Sequence, residues 1–397
     1  MDLARLRGMY QPARRRVPVV LVLAALASQG STAFARDPVV TRTPLARAPA
    51  ASLGAPEALS LTPRQFLVQG VERAKLLVGR AVTFPAFVWP FNRLMQAVAH
   101  GEPFTGLTPA SAVRVGRRVV DQGSEGVVIG RLAPTLRDIW SVRGAERSFL
   151  KLIDELAAAR AKDPRLKAAV AYDPDSLGLG LSGFSRERRE QVAMAGMLRV
   201  ARHAKARGVP LELDMTGSET MPFTLKVAEQ IVTEVGIPVR LAIAARYEAS
   251  MPALRNWAAL ATRTGQKLGV RLVKGSYVEA DTAGIINQRG PLMRHYRELV
   301  TQALRYGDVL DVAVATQNEE IWQHARAEAR RLGTTYRLHV IRGVNAPFQA
   351  KVRAAGETIG GEYVSYGADA PIFGLQEALE NRQAKKTLIQ RFAQELN

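Results

Sequence analysis

The sequence predicts an α/β protein built on parallel strands, and three observations carry that expectation. Short aliphatic runs recur from about residue 105: Val127–Leu132, Ala168–Tyr172, Leu211–Met215, Val239–Ala245, Val270–Lys274, Val312–Thr316, Leu338–Ile341 and Glu362–Tyr366. Amphipathic stretches opened by Ser or Thr lie between most of them, and such alternation favours parallel strands joined by right-handed crossovers. Hydrophobic residues make up 47% of the 397, enough for a sizeable core. About eight strands suit a (βα)8 barrel with extra N-terminal helices, although periodicity alone does not show whether the sheet closes.

The N-terminus reads as an export signal over residues 1–35. Arg14-Arg15-Arg16 supplies a charged region, Val17 to Ala27 an apolar run too short to span a bilayer, and Ala33-Phe34-Ala35 an Ala-x-Ala cleavage site. Cleavage after Ala35 would place the protein in the periplasm or outside the cell. Residues 36–60, rich in Ala, Pro and Arg, read as a flexible linker. Residues 61–104 read as a helical arm, with Thr62-Pro63 as a helix start. The barrel is expected over 105–397.

Composition narrows the chemistry. There is no cysteine, which excludes disulfides, thiolate metal sites and a cysteine nucleophile. The five histidines have no ligand spacing, so no metal is expected. The net charge of +19 favours anionic surfaces in general. The arginines are scattered over helices such as Arg186–Arg207 without interleaved aromatics. They read first as solvated faces, second as a peripheral contact with anionic membrane, and not as a specific nucleic-acid site.

Gly178-Leu179-Gly180-Leu181-Ser182-Gly183 has the spacing of a dinucleotide loop. Asp173-Pro174-Asp175-Ser176 separates it from the preceding strand, and no acid follows about 20 residues on. It reads as a glycine-rich loop before a helix starting near Ser185.

The most informative stretch is Val270-Arg271-Leu272-Val273-Lys274-Gly275-Ser276-Tyr277. It reads as a buried strand ending on a cation, a glycine and an aromatic. Arg271 and Lys274 would face opposite sides unless the chain bends at Gly275. Cations at the mouth of a buried strand need an anionic or electron-rich partner, and the bland reading is a solvated strand end.

This stretch resembles the signature strand of the proline dehydrogenase family. Four further segments follow in the same order: Leu213-Asp214-Met215, Ala315-Thr316-Gln317-Asn318 (family Ala-Thr-His-Asn), Tyr363-Val364-Ser365-Tyr366-Gly367 (family Tyr-x-Pro-x-Gly) and Glu380-Asn381. The resemblance spans roughly residues 105–390. It implies a distorted (βα)8 TIM-like barrel holding FAD at the strand C-termini. It also implies hydride transfer from a carbon beside an amine nitrogen, a small amine or amino-acid substrate, and a quinone or other electron acceptor. By resemblance, Arg271, Lys274, Gly275 and Tyr277 would wall the flavin, Thr316 and Asn318 would contact the nucleotide, and Glu380 the ribitol or ribose. Asp214, Tyr363 and Arg271 would be catalytic.

The departures lie on the substrate side. The family's carboxylate-binding arginine pair is Gln376-Glu377 here, and its early-strand lysine falls near Ala171–Asp173. Phe373 replaces a family tyrosine. Efficient oxidation of free L-proline is therefore not expected. Arg246, Arg337 or Arg342 are candidates to replace the lost arginines. Three other readings stay open: a degenerate barrel acting in binding or structure, a Schiff-base lysine at Lys274 with Asp214 as shuttle, and a basic membrane-docking protein. Arg271 could instead form an interior salt bridge with Asp214, and Thr316 and Asn318 a loop-initiating pair.

Overall fold

The computed structural model describes Thr62, Phe66 and residues 108–132, 138–275 and 283–367. The leader, the linker and most of the arm lie outside these residues, as do Tyr277, Phe373, Gln376, Glu377 and Glu380. Everything described belongs to one compact unit, Ser60–Asn397.

Eight strands form a closed parallel barrel in sequence order: β1 (Val127–Arg131), β2 (Ala168–Tyr172), β3 (Leu211–Leu213), β4 (Val239–Ala244), β5 (Leu268–Val273), β6 (Leu310–Ala315), β7 (Arg337–Ile341) and β8 (Ile359–Tyr366). The fold is a (βα)8 TIM-like barrel. All eight expected runs lie on strands, Ala168–Tyr172 with the same bounds and the other seven with shifted ends. β8 closes the barrel: it pairs with β7 on one side and β1 on the other.

Helix α1 (Pro109–Asp121) precedes β1, and α2 (Ile139–Lys162), α3 (Arg186–Arg207), α4 (Met221–Gln230), α5 (Ser250–Thr264), α6 (Arg289–Arg305), α7 (Glu319–Leu332) and α8 (Ala346–Ala354) follow β1 to β7 in turn. α1 packs on both β8 and β1, the wall position that a helix after the last strand takes in a regular barrel. Sequence chemistry sets the helix ends. Thr108, Asp138, Ser185 and Asn318 cap α1, α2, α3 and α7 with side-chain oxygens, and each cap is worth about 1 kcal/mol. Left-handed glycines at 208, 265 and 333 end α3, α5 and α7.

The apolar core lies between the strands and the helices, where Trp322, Tyr172, Tyr296 and Phe149 are fully buried. The Tyr296 hydroxyl lies 2.9 Å from the carbonyls of both Leu272 and Ala315, bracing the mouth ends of β5 and β6. The glycine-rich segment after β2 is not a strand-to-helix phosphate turn: Asp175–Leu177 forms a 3-10 turn, and Leu177 and Leu181 are buried under α3. No helix among the described residues is long and apolar enough to cross a membrane.

The inside of the barrel is charged rather than apolar. Arg240 on β4 reaches Glu212 on β3 (3.4 Å) and Asp311 on β6 (2.5 Å). Arg337 joins Asp311 and Glu125, both at 3.2 Å. Arg240 and Asp311 flank Gly269 of β5 in one row, so their bond passes over that glycine, and these groups form an ion ladder where barrels ordinarily stack branched aliphatics.

Candidate active site

At the mouth end the ladder finishes in three residues that the sequence singled out. Asp214, just past β3, is the meeting point. One carboxylate oxygen accepts from the Arg271 guanidinium of β5, and the other accepts from the Tyr363 hydroxyl of β8 at 2.8 Å. The Arg271 guanidinium carbon lies 5.2 Å from the Tyr363 ring centroid, within cation–π range. Glu212, one layer deeper, faces Arg271 at 3.3 Å.

Burial and charge compete at each of these groups. Burial disfavours the Arg271 cation, but Asp214, Glu212 and Tyr363 outweigh it and hold the guanidinium above its ordinary pKa. Burial raises the Glu212 carboxyl, with Arg271 and Arg240 pulling against it. His339, on β7 inside the same lumen, is pushed well below its usual value by burial and by Arg240, Arg271 and Arg337. It is a neutral imidazole at neutral pH.

The interior-salt-bridge reading of Arg271 is what the geometry shows, yet its Nε is buried with no hydrogen-bond partner among the described residues. An orphaned donor of that kind costs about 1–3 kcal/mol, so the site has a donor to give to an acceptor. Gly275 provides the bend expected after Lys274, at φ +98°, and its carbonyl accepts from Arg246 Nη2 at 3.0 Å. Arg246 Nη1 also binds Asn287 (2.7 Å), and its backbone N–H bonds to the Lys274 carbonyl (3.1 Å). Arg246 therefore fixes the lip that carries Lys274 and Gly275.

Other expected residues have local tasks. Thr316 Oγ1 accepts from the Asn318 N–H at 3.0 Å, and Asn318 Oδ1 caps α7 at Ile321 N, 3.2 Å. These are the turn and cap uses of such residues. The Gln317 amide sits between Val344 O (2.7 Å) and Ile341 N (3.1 Å), which ties β6 to the loop after β7. Of the arginines considered as replacements for the missing pair, none stands open in the mouth. Arg246 is spent on the lip. Arg337 belongs to the bottom rung of the ladder. Arg342 points between barrel and helices, to Glu362 and Gln122, both at 3.1 Å.

Sequence reasoning missed Glu212, Arg240 and Asp311. The signal was present: each is a single charge between aliphatics in a strand, Leu-Glu-Leu, Val-Arg-Leu and Leu-Asp-Val, and a lone charge in a buried strand needs a partner inside. No cluster of three or more acidic or histidine side chains among the described residues is placed to hold a metal.

A family model described as proline dehydrogenase matches residues 140–388. The chain belongs to the proline dehydrogenase family. Membership makes it an oxidoreductase domain of the class that acts on CH–NH donors, and it supports the enzyme over the inactive binding barrel. The chain is also similar to solved structures. Proline utilization A from Bdellovibrio bacteriovorus, inactivated by N-propargylglycine, matches with TM-score 0.63 and 18% identity over 70% of this chain and 32% of that one. A point mutant of proline utilization A from Bradyrhizobium japonicum matches with TM-score 0.57 and 17% identity over 66% and 29%. The chain thus spans about a third of the length of these proteins, and the likeness concerns the proline dehydrogenase fold. No curated protein sequence matches the chain.

Proposed function

We propose that this chain is a flavin-dependent dehydrogenase of proline or a related secondary amine. The observation that carries the reading is Asp214 clamped between Tyr363 and Arg271 at the mouth of the barrel. The donor set fits a flavin at one point, the orphaned Arg271 Nε, and Lys274 and Gly275 on the adjoining lip would extend the wall. When bound, FAD supplies an acceptor for the hydride that leaves the carbon next to nitrogen. The chain's own residues position and polarise. Asp214 accepts hydrogen bonds and attracts the amine. Tyr363 fixes the carboxylate's orientation and covers the guanidinium with its ring. Arg271, held cationic by two acids, would supply positive charge to a flavin bound at the mouth.

The electrons would pass on to a quinone or another acceptor. The leader motif at residues 1–35 supports export to the periplasm or beyond, and the basic helices support a peripheral contact with anionic membrane. N-terminal sequencing of the protein from a periplasmic extract tests the first. The flavin reading is tested by the visible spectrum of the purified full-length protein. Flavin bands that bleach with a secondary amine are expected, and a colourless protein that takes up no added FAD overturns the reading.

A further inference from the structure

Trp140 and Phe66 are the large apolar side chains left exposed among the described residues, at 37% and 62%. They touch: the rings pack edge to face, with 6.4 Å between centroids and 78° between planes. Together they form a patch rather than a scattered surface residue. Trp140 is the second residue of α2, which follows β1, so the pair stands at the mouth end of the barrel wall.

The same helix carries a run of cations. Arg143, Arg147 and Lys151 follow Trp140 at helical spacing, and all three are exposed. That spacing sets the four side chains on one face, a stripe of roughly 16 Å along the helix. The acids on the α3 side of this face are matched: Glu146 pairs with Arg199 at 2.7 Å and Asp154 with Arg207 at 2.8 Å. They therefore do not offset the positive charge of the stripe.

We propose that this face of α2 docks on an anionic bilayer, with Trp140 and Phe66 entering the headgroup layer and the three cations lying along it. The inference rests on the reading of a peripheral membrane contact and gives that contact one face of the barrel. A cation close to an anionic lipid surface strengthens binding about fivefold, and tryptophan settles at the boundary between headgroups and hydrocarbon. A merely solvated face accounts for the cations but not for the aromatic pair. A nucleic-acid strand needs ring faces offered one after another for its bases to stack on, whereas these two rings are turned onto each other.

The test is flotation of the full-length protein with vesicles of phosphatidylcholine, alone or with about one third phosphatidylglycerol. The anionic vesicles should bind at least about tenfold tighter, and added salt should weaken them. The triple variant Arg143→Glu, Arg147→Glu, Lys151→Glu should cost at least about a hundredfold. The control is Arg289→Glu, Arg294→Glu, Arg305→Glu, the same change of charge at exposed positions of α6. α6 follows β5, so it lies across the barrel from α2, and this variant should bind within about threefold of the unaltered protein. Tryptophan emission should shift to the blue on anionic vesicles and lose that shift in Trp140→Phe. Equal binding to the two vesicles, binding that the α2 variant keeps or the α6 variant loses equally, or an emission shift that is absent or survives Trp140→Phe overturns the proposal and leaves a membrane contact elsewhere on the chain. Tighter binding of single-stranded DNA than of vesicles overturns it in favour of nucleic acid. No binding to either vesicle removes the membrane reading as well.

Discussion

The Tyr363 phenol occupies the space that any side chain at Gly130 would need. A Cβ built on Gly130 would lie 2.0 Å from the Tyr363 hydroxyl oxygen and 2.6 Å from the ring carbon bearing it. The absent side chain on β1 is what lets a tyrosine on β8 reach an aspartate beyond β3. Gly130→Ala should push the ring off Asp214 and cost about 1–3 kcal/mol by overpacking. Urea unfolding checks this, and wild-type stability in the variant would mean that the phenol has another place to go.

Tyr363→Phe keeps the ring over Arg271 and removes only the bond to Asp214. A hydrogen bond to a charged group is worth about 1.5–3 kcal/mol, so a stability loss in that range is expected. Flavin uptake should persist because the Arg271–Asp214 pair remains. Absorbance after incubation with FAD, set beside a denaturation curve, separates the two effects.

Arg271→Met removes the cation that balances Asp214 and Glu212. Breaking a buried pair from one side costs about 3–5 kcal/mol. The deficit should narrow in acid, because protonating the two stranded carboxylates removes their unpaired charge. Melting temperatures of variant and wild type at several pH values report it. A deficit independent of pH would point to lost packing alone.

Asp173 makes a prediction of the opposite sign. Its carboxyl is raised from 3.8 to about 7 in the folded chain. Between those values the folded chain keeps a proton that the unfolded chain has released, so stability falls as pH rises through the window and levels off above it. Asp173→Asn is expected to abolish this loss. It should match wild type near about pH 4 and exceed it near about pH 8 by an amount on the order of 2–4 kcal/mol.

Glu362 is buried between the barrel and its outer helices, where Arg342 (3.1 Å), Arg353 (3.6 Å) and Ser124 (2.6 Å) converge on it. Glu362→Ala strands the buried Arg342 guanidinium and should destabilise by about 3–5 kcal/mol. The mouth residues are not touched, so flavin uptake by the fraction that remains folded should be unchanged. Loss of flavin from well-folded protein would tie this cluster to the site.

Strands were readable because burial on both faces leaves runs dominated by aliphatics, as in Ala168–Tyr172, and a lone charge as in Leu211–Leu213 or Val239–Ala244 does not hide them. The ends were less readable. β5 begins at Leu268 and β8 at Ile359, where glycines interrupt the aliphatic pattern although the ladder bonds continue. Asp214, Arg271 and Tyr363 were found through motif resemblance, and no periodicity puts strands 3, 5 and 8 in contact. Thr316 and Asn318 carry the motif, and their described hydrogen bonds serve the first turn of α7. The lumen ladder escaped notice because its members are spread over separate strands, and Arg240 and Asp311 become neighbours only when β4, β5 and β6 pair in register across Gly269.

Closure itself has a temporal side. β1 hydrogen-bonds to β8, and Arg131 and Tyr366, which face each other there, are 235 residues apart in the chain. At roughly 5–20 residues per second, a ribosome takes about 10 to 50 s to go from one to the other. Throughout that interval the first strand has an open edge and the ladder lacks its last members. The nascent chain therefore passes through a long stage in which an unpaired strand is exposed to other chains, and chaperone demand should be highest just before β8 emerges.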